Sequence, residues 1–403
     1  MGLNDLNPGF ADAATLLTSI VKQATGQAVI TPTSLDEFVS VGTTALEAGF
    51  DPLLNAISQV LGRTIFSIRP YSERFRGLRA DSQRWGNHVR KLKLADNDFE
   101  EDQRFYEAAN DFLDNGDSVD MYTIKKPNPV QLNFYGQNVW QDHITLFRDQ
   151  LDVAFHDPEE LMRFTSMIMT NMSSRMAQAR ETCARAALAN FIGAKTDLGG
   201  AGHVIYLITE YNTATGQSLT SSTIFTPSNY ATFIRWCAGF IKTLSRRMEE
   251  RSSIYQVQIT GKPINQHSPR SKQKLYLLAD YVNRMDAEVL STTYNEQYLQ
   301  LGEVEEVSFW QSITSPDAIQ VTPGYMDTSG AIVTGNAQTL TKVFGVLFDE
   351  DAIMTQEVNT WSAPTPFNPA GGYTNMYWHK SDRYLNDFSE KGVVLLLDTA
   401  PSS

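Results

Sequence analysis

Residues 157–193, DPEELMRFTSMIMTNMSSRMAQARETCARAALANFIG, carry the reading that decides the fold. Asp157 is an N-cap acid, Pro158 takes the first helical position, and Glu159 and Glu160 fall in the first turn, where the helix dipole favours negative charge. From there Leu161, Phe164, Ile168, Met172, Met176, Ala179, Cys183, Ala187 and Phe191 recur at helical spacing, and Gly193 supplies a stop. The predicted helix, Pro158 to Ile192, would be about 50 Å long at 1.5 Å per residue, well beyond the usual helix of a globular domain. Something must use that length. Its methionines read as core packing, because Met fills irregular gaps and no polar constellation converges on them.

Upstream, an extended stretch begins near Val130, carries Phe134, Tyr135, Val139, Trp140 and Ile144, and ends at Thr145-Leu146-Phe147. Downstream of Gly199-Gly200 the texture becomes mixed. Val204 to Thr209, Ile254 to Ile259, Lys274 to Leu278, Val304 to Trp310 and Val343 to Phe348 read as strands, with helices from Thr226-Pro227 to Met248 and from Asp280 to Leu290. Asp349-Glu350-Asp351 precedes Ala352-Ile353-Met354 and reads as a helix cap. The proline- and glycine-rich run from Ala363 to Gly372 reads as a loop. The last strand, Gly392 to Asp398, is continuously apolar and therefore belongs inside a sheet.

Toward the N-terminus, Ser34-Leu35-Asp36-Glu37 matches a capping box before a short helix through Leu46. A second apolar run spans Pro52 to Leu61, and Thr64 to Arg69 alternates like a strand. The chain then divides by charge. Arg69, Arg74, Arg76, Arg79, Arg84, Arg90, Lys91 and Lys93 stand against only Glu73 and Asp81. From Asp96 to Asp120 the sign reverses, with Asp98, Glu100, Glu101, Asp102, Glu107, Asp111, Asp114 and Asp117 against Arg104 alone. Two readings stay open: separate solvated faces, or complementary surfaces meeting between neighbouring copies through Arg76, Arg79, Arg84, Asp98, Glu101 and Asp102. A calcium loop starting at Asp96 fails, because Glu101 stands where the sharp turn needs glycine.

The 403 residues, 42% hydrophobic and 20% charged, suit a globular chain with a substantial core. No window approaches the roughly 20 apolar residues of a membrane span, and MGLNDLNPGFADAATLL lacks the layout of a secretory signal. A net charge of -13 argues against gripping DNA through a basic surface. Cys183 and Cys237 sit in helical stretches and read as buried thiols. His88, His143, His156, His203, His267 and His379 lack metal-ligand spacing, so each reads as a surface or hydrogen-bonding residue. No catalytic, phosphate-binding or dinucleotide motif is present; Gly261-Lys262-Pro263 lacks the upstream glycine and the hydroxyl residue of a phosphate loop. No catalytic residue, cofactor or metal is expected.

Residues 137–155, QNVWQDHITLFRDQLDVAF, between an extended excursion and the capped long helix, resemble the major capsid proteins of tailed phages. The resemblance implies the α+β capsid fold of the Hong Kong 97 phage type, with an N-terminal arm (1–62), an extended β-loop (63–145), a peripheral domain with a long spine helix (146–203 and 366–403) and an axial mixed α/β domain (204–365). It implies a structural protein, not an enzyme, that assembles with itself into pentamers and hexamers of an icosahedral head. The enclosed double-stranded DNA would be held by loose contact, since an acidic wall repels a polyanion. Because the arm begins close to Met1, a separate scaffolding protein is implied, with a portal as a further partner. The location implied is the virion capsid, assembled in the cytoplasm of a bacterial host, without a membrane. Relatives that crosslink covalently use a lysine in the loop and an asparagine in a neighbour; Lys125, Lys126 and several asparagines exist here, but nothing marks a pair. An encapsulin-like compartment would share the fold and carry protein cargo. An enzyme with a dispersed site would be a small oligomer with one polar pocket, and a tail component would form a fibre or ring.

Overall fold

The computed structural model describes residues 10–25, 31–32, 34, 37–38, 40–41, 71, 73–80, 88–97, 102, 104–106, 111–119, 121–122, 124–135, 137–148, 158–283 and 303–401. The chain divides into two compact units. The first comprises Met1–Gly86, Gln137–Cys183 and Thr355–Arg383; the second comprises Asn87–Gly136, Ala184–Met354 and Tyr384–Ser403.

In the first unit a helix, Phe10–Thr25, buries Ala14, Leu17, Ile20 and Val21, the spacing of one helical stripe. The predicted cap is present: the Glu37 N–H donates to Ser34 Oγ at 3.3 Å, and the Phe38 N–H to the Ser34 carbonyl at 3.0 Å. Residues 37–38 and 40–41 are helical, while 42–46 of that predicted helix, the run Pro52–Leu61 and the strand Thr64–Arg69 lie outside the described residues. An antiparallel sheet orders its strands Ile353–Pro364, Tyr373–Asn386, Asn138–Phe147. Tyr373 pairs with Phe147 and Asp382 with Asn138, so Thr374, Met376, Lys380 and Asp382 share the buried face. The loop expected over Ala363–Gly372 is the hairpin connection, and it starts later than expected because the first strand runs through Pro364.

The long helix spans Pro158–Leu198, six residues past the predicted end. Gly193 does not stop it. That glycine is buried, and a Cβ there would collide with Val321, so it serves close packing. The stop comes at Gly199 and Gly200, both left-handed at φ 64° and 76°, with the Gly199 N–H donating to the Lys195 carbonyl at 3.2 Å.

The second unit is built on a five-stranded sheet in the order Val204–Tyr206, Gly392–Leu396, Val343–Asp349, Gln273–Leu278, Glu303–Val307. The two inner pairings are antiparallel and the two outer ones parallel. Gly392–Leu396 is buried throughout and bonded on both sides, as its continuous apolar run predicts. The helix Pro227–Glu249 matches its prediction within a residue. Residues 279–283 are helical, and the remainder of the helix expected to reach Leu290 lies outside the described residues.

Three expectations need correcting here. The strand expected over Val204–Thr209 ends at Tyr206 and turns into a helix, Leu207–Thr215, because Tyr211 is anchored edge-on to Phe233 and Trp236 at 5.3 and 5.4 Å. Ile254–Ile259 is not a strand. Tyr255 sits at φ 73°, and side-chain amides replace ladder bonds, with Gln258 both donating to and accepting from the Ile264 backbone at 2.6 and 2.8 Å. Asp349-Glu350-Asp351 caps no helix but forms a tight turn between strands, in which the Ala352 N–H donates to the Asp349 carbonyl at 2.9 Å and the Asp351 N–H to Asp349 Oδ1 at 3.0 Å.

At the end of the long helix, Lys195 is fully buried, its Nζ donating to the Tyr255 carbonyl at 2.8 Å and lying 3.4 Å from His203 Nδ1. Burial pulls Lys195 from its ordinary 10.5 to about 7, with the Asp387 charge opposing, and burial with the Lys195 charge holds His203 at about 4. Between pH 10.5 and 7 the unfolded chain therefore binds a proton that the native state does not, so this lysine lowers stability as pH falls through that window. Lys195→Met should stabilise the subunit by about 1–4 kcal/mol at pH 6. The gain should shrink steadily toward pH 10. Urea midpoints at both pH values check it, and a gain that does not vary with pH would assign the effect to packing alone.

Candidate functional site

The strand His88–Ala95 pairs antiparallel with Asn128–Tyr135, placing Lys91 opposite Leu132 and Lys93 opposite Val130 in a two-stranded ribbon of the second unit. Its polarity is inverted. Leu92 and Leu94 are 62% and 60% exposed, while the side chains of Lys91 and Lys93 are only 16% and 10% exposed. Pro129 lies opposite Leu94 on the outer face, and Tyr135, opposite His88, is also exposed. In the segment joining the two strands, Met121, Tyr122 and Ile124 are exposed too.

What turns the lysines inward is an acidic turn after the strand Tyr373–Asn386. The Asp387 N–H donates to the Ala352 carbonyl at 2.7 Å, and Asp387 Oδ1 accepts from the Ser389 N–H at 3.0 Å, which leaves Oδ2 for the ribbon. Lys91 Nζ reaches Asp387 Oδ2 at 3.0 Å and the Asp351 carbonyl at 2.7 Å; Lys93 Nζ reaches Glu390 Oε1 and Ser389 Oγ, both at 2.7 Å. The Gln266 amide lies between Lys93 and Glu390, and oriented with its nitrogen toward the carboxylate and its oxygen toward the ammonium it satisfies both. Burial alone would raise the Asp387 carboxyl, but Lys93, Lys91 and the Ser389 hydroxyl outweigh it and hold it below its ordinary value. Burial, with the Asp387 charge added, pushes Glu390 up, and Lys93 offsets this only in part.

The first unit has its own charge cluster. Arg180 on the long helix meets Glu357 at 2.8 Å and Glu73 at 3.6 Å, and Arg79 meets the same two acids at 3.0 and 3.5 Å. Backbone bonding fixes this segment as well: the Ala80 N–H donates to the Thr355 carbonyl at 2.9 Å. Tyr71 donates to Glu181 at 2.7 Å. On the outer face of the three-stranded sheet, Trp361 stacks on His379 at 4.0 Å, and His143 stacks on Tyr377 at 5.1 Å.

Of the residues singled out in the sequence, Arg76 is exposed in a short 3-10 turn, Arg79 is engaged by Glu73 and Glu357, and Asp102 is gripped by Arg104 at 2.6 Å. Hydrogen bonds from Arg104 hold the Asp102 carboxyl down at about 2. Arg84, Asp98 and Glu101 lie outside the described residues. The sequence reading counted Lys91 and Lys93 in a basic run and missed their acidic partners. The available signal was the alternation Lys91-Leu92-Lys93-Leu94, which requires one kind of side chain to face inward whenever the segment is a strand packed on one side. Cys237 is fully buried, its thiol pushed well above the usual value by burial, and Cys183 is half-buried. Among the described residues no group of His, Cys, Asp and Glu could hold a metal ion, and no helix is long and apolar enough to cross a membrane.

A family model described as Phi29-like phage major capsid protein matches residues 17–395. Among solved structures, the capsid structure of Staphylococcus phage Andhra is similar with a TM-score of 0.53 at 10% identity, covering 84% of this chain and 87% of that one. A chain in the structure of head fiber and inner core protein gp22 of native bacteriophage P68 is similar with a TM-score of 0.53 at 10% identity, covering 83% of this chain and 87% of that one. At such identity these two likenesses speak for the fold. No curated protein matches.

Proposed function

Since the chain belongs to the Phi29-like phage major capsid protein family, matched over residues 17–395, we propose that its copies join into the pentamers and hexamers of an icosahedral head through the outward stripe of the ribbon. Its role is structural and non-enzymatic, and its place is the virion capsid. The comparisons favour neither a cargo compartment nor an enzyme. The observation that carries the assembly surface is the inverted ribbon: a strand that turns two lysines inward leaves two leucines exposed on the single subunit, apolar surface that contact with another copy would cover.

The proposal assigns 1–62 to an arm, 63–145 to an extended loop, 146–203 with 366–403 to a peripheral domain and 204–365 to an axial domain. The ribbon falls inside the second of these, and the long helix occupies most of the 146–203 segment. A separate scaffolding protein, a portal and loosely held double-stranded DNA complete the partners, the last supported by the net charge of -13. Assembly takes place in the host cytoplasm. Of the charges assigned to the subunit boundary, Arg76 is the clean probe, because reversing Arg79 would also place an acid beside Glu73 and Glu357.

Each leucine buried in a contact contributes about 1.5–3 kcal/mol, and the contact recurs around a closed shell. The double variant Leu92→Asp with Leu94→Asp should therefore abolish particles when co-expressed with the scaffolding protein, as read by sedimentation and negative-stain microscopy. Circular dichroism and melting of the subunit should barely change, and Ser218→Asp, which adds charge on an exposed loop, should assemble normally. Normal particle yield from the double variant would remove the stripe from the assembly surface.

A further inference from the structure

The ribbon has one more property, which rests on its being the assembly element: its attachment to its own chain combines a small apolar cluster with the ion pairs of two lysines. We propose that Lys91 and Lys93 form a two-pronged ionic latch on Asp387 and Glu390, so that the ribbon docks and undocks as a unit while the five-stranded sheet stays folded. At the root, Asp96 is pinned by Arg251 at 2.5 Å, by the Asn265 N–H at 3.0 Å, and through its own N–H donating to the Pro263 carbonyl at 2.7 Å. A small apolar cluster of Ala95, Val130 and Ile264, with Leu132 and Ile259 against it, sits beside this root. Among the described residues, the polar attachments of His88–Ala95 beyond the root are those of Lys91 and Lys93.

This division gives the root the character of a pivot and the two lysines that of a catch. A two-stranded ribbon is at best marginally stable alone, so its order depends on being held. Buried ion pairs suit a catch: attraction roughly offsets desolvation, which leaves little net stabilisation, while a mismatched partner is strongly disfavoured. Each carboxylate also lies within ion-pair reach of the other lysine, with cross distances of 3.7 Å from Lys91 to Glu390 and from Lys93 to Asp387, so the prongs work together. The acidic side of the catch belongs to the turn leading into Gly392–Leu396, a strand buried in the sheet, and is held there by backbone bonds that do not involve the ribbon.

Hydrogen exchange on the full-length, unassembled subunit tests this without any reference to shells. In Lys91→Gln with Lys93→Gln, amides of residues 88–95 and 128–135 should exchange faster by on the order of tenfold to a hundredfold, the equivalent of losing one or two charge-assisted hydrogen bonds. Amides of Val343–Asp349 and Gly392–Leu396 should keep their protection. A quadruple variant, Lys91→Met, Lys93→Met, Asp387→Asn and Glu390→Gln, removes the charges from both sides and should restore ribbon protection at least partly, which separates a charge-matched catch from general misfolding. Unchanged ribbon exchange in the double variant, equal acceleration in the sheet, or no recovery in the quadruple variant would each overturn the latch. None of these results bears on whether the leucine stripe drives assembly, which the aspartate variants decide separately.

Discussion

Replacing Met176 by proline is expected to remove assembled particles and to cost the subunit about 3 kcal/mol or more. Met176 lies in the interior of Pro158–Leu198, so proline there deletes the N–H that bonds back to the Met172 carbonyl, and its ring collides with that carbonyl. The turns on either side are not free to absorb a kink. Ile168 and Met172 are buried on the N-terminal side, and Arg175 bridges to Asp142 at 2.9 Å. On the C-terminal side Arg180 and Glu181 hold Glu73, Glu357 and Tyr71. Bending the helix to accept proline must therefore break either an apolar seat or a charge cluster whose members are partly buried, and a stranded buried charge is costly. Met176→Ala, a better helix former with a smaller side chain, separates the causes: it should lose only packing and still assemble. Far-ultraviolet circular dichroism, urea midpoints and sedimentation of co-expressed particles check the pair. Particles of normal yield and stability from the proline variant would mean that this helix is not a rigid element.

The long helix was legible because its signals agree: a proline at the first helical position, acids in the first turn and an apolar repeat all point one way. Its end was not, since a glycine in sequence looks the same whether it provides a left-handed cap, as Gly199 does, or room for a neighbour, as Gly193 does. Strands buried on both faces, such as Gly392–Leu396, announce themselves by continuous apolarity. Strands of the first unit do not. Tyr373–Asn386 buries Lys380 and Asp382 on one face and Arg383 on the other, so its buried positions are partly charged and periodicity gives no strand signal. Ile254–Ile259 fails in the opposite sense, because its apolar alternation is real but one left-handed residue breaks the ladder.

The candidate site follows the same logic. Charge runs were visible as runs, but their meaning depends on partners nearly three hundred positions away, as with Lys91 and Asp387, whose separation is 296 residues. Local pattern cannot supply such a partner. What the sequence did contain was the alternation of lysine and leucine at 91–94, which commits one pair to face inward. Choosing which pair needed the acidic turn at Asp387, and that turn is itself recognisable only once Ser389 is seen to donate to it.

Phe191→Ala is expected to be the most damaging single truncation in the second unit, at about 3–5 kcal/mol. The ring is fully buried, lies parallel to Phe388 at 5.4 Å and tilts against Phe348 at 6.1 Å. Gly392 leaves room for it: a Cβ at that glycine would sit 2.6 Å from Phe191 Cζ. The site cannot collapse around the missing ring. Its walls are the buried strands Val343–Asp349 and Gly392–Leu396, whose positions are fixed by pairing on both sides, so most of the lost volume remains as a cavity. Lys195 makes the loss larger, since its ammonium lies 5.5 Å from the Phe191 ring centre and truncation takes away the face above which that buried group sits. Filling the void from the other side is the discriminating experiment. Gly392→Ala in the Phe191→Ala background should recover part of the stability, whereas Gly392→Ala alone should destabilise, because its methyl would press on the ring. A urea-melt cycle over the four chains measures the coupling, and additive effects would show that the two positions do not share one packed volume.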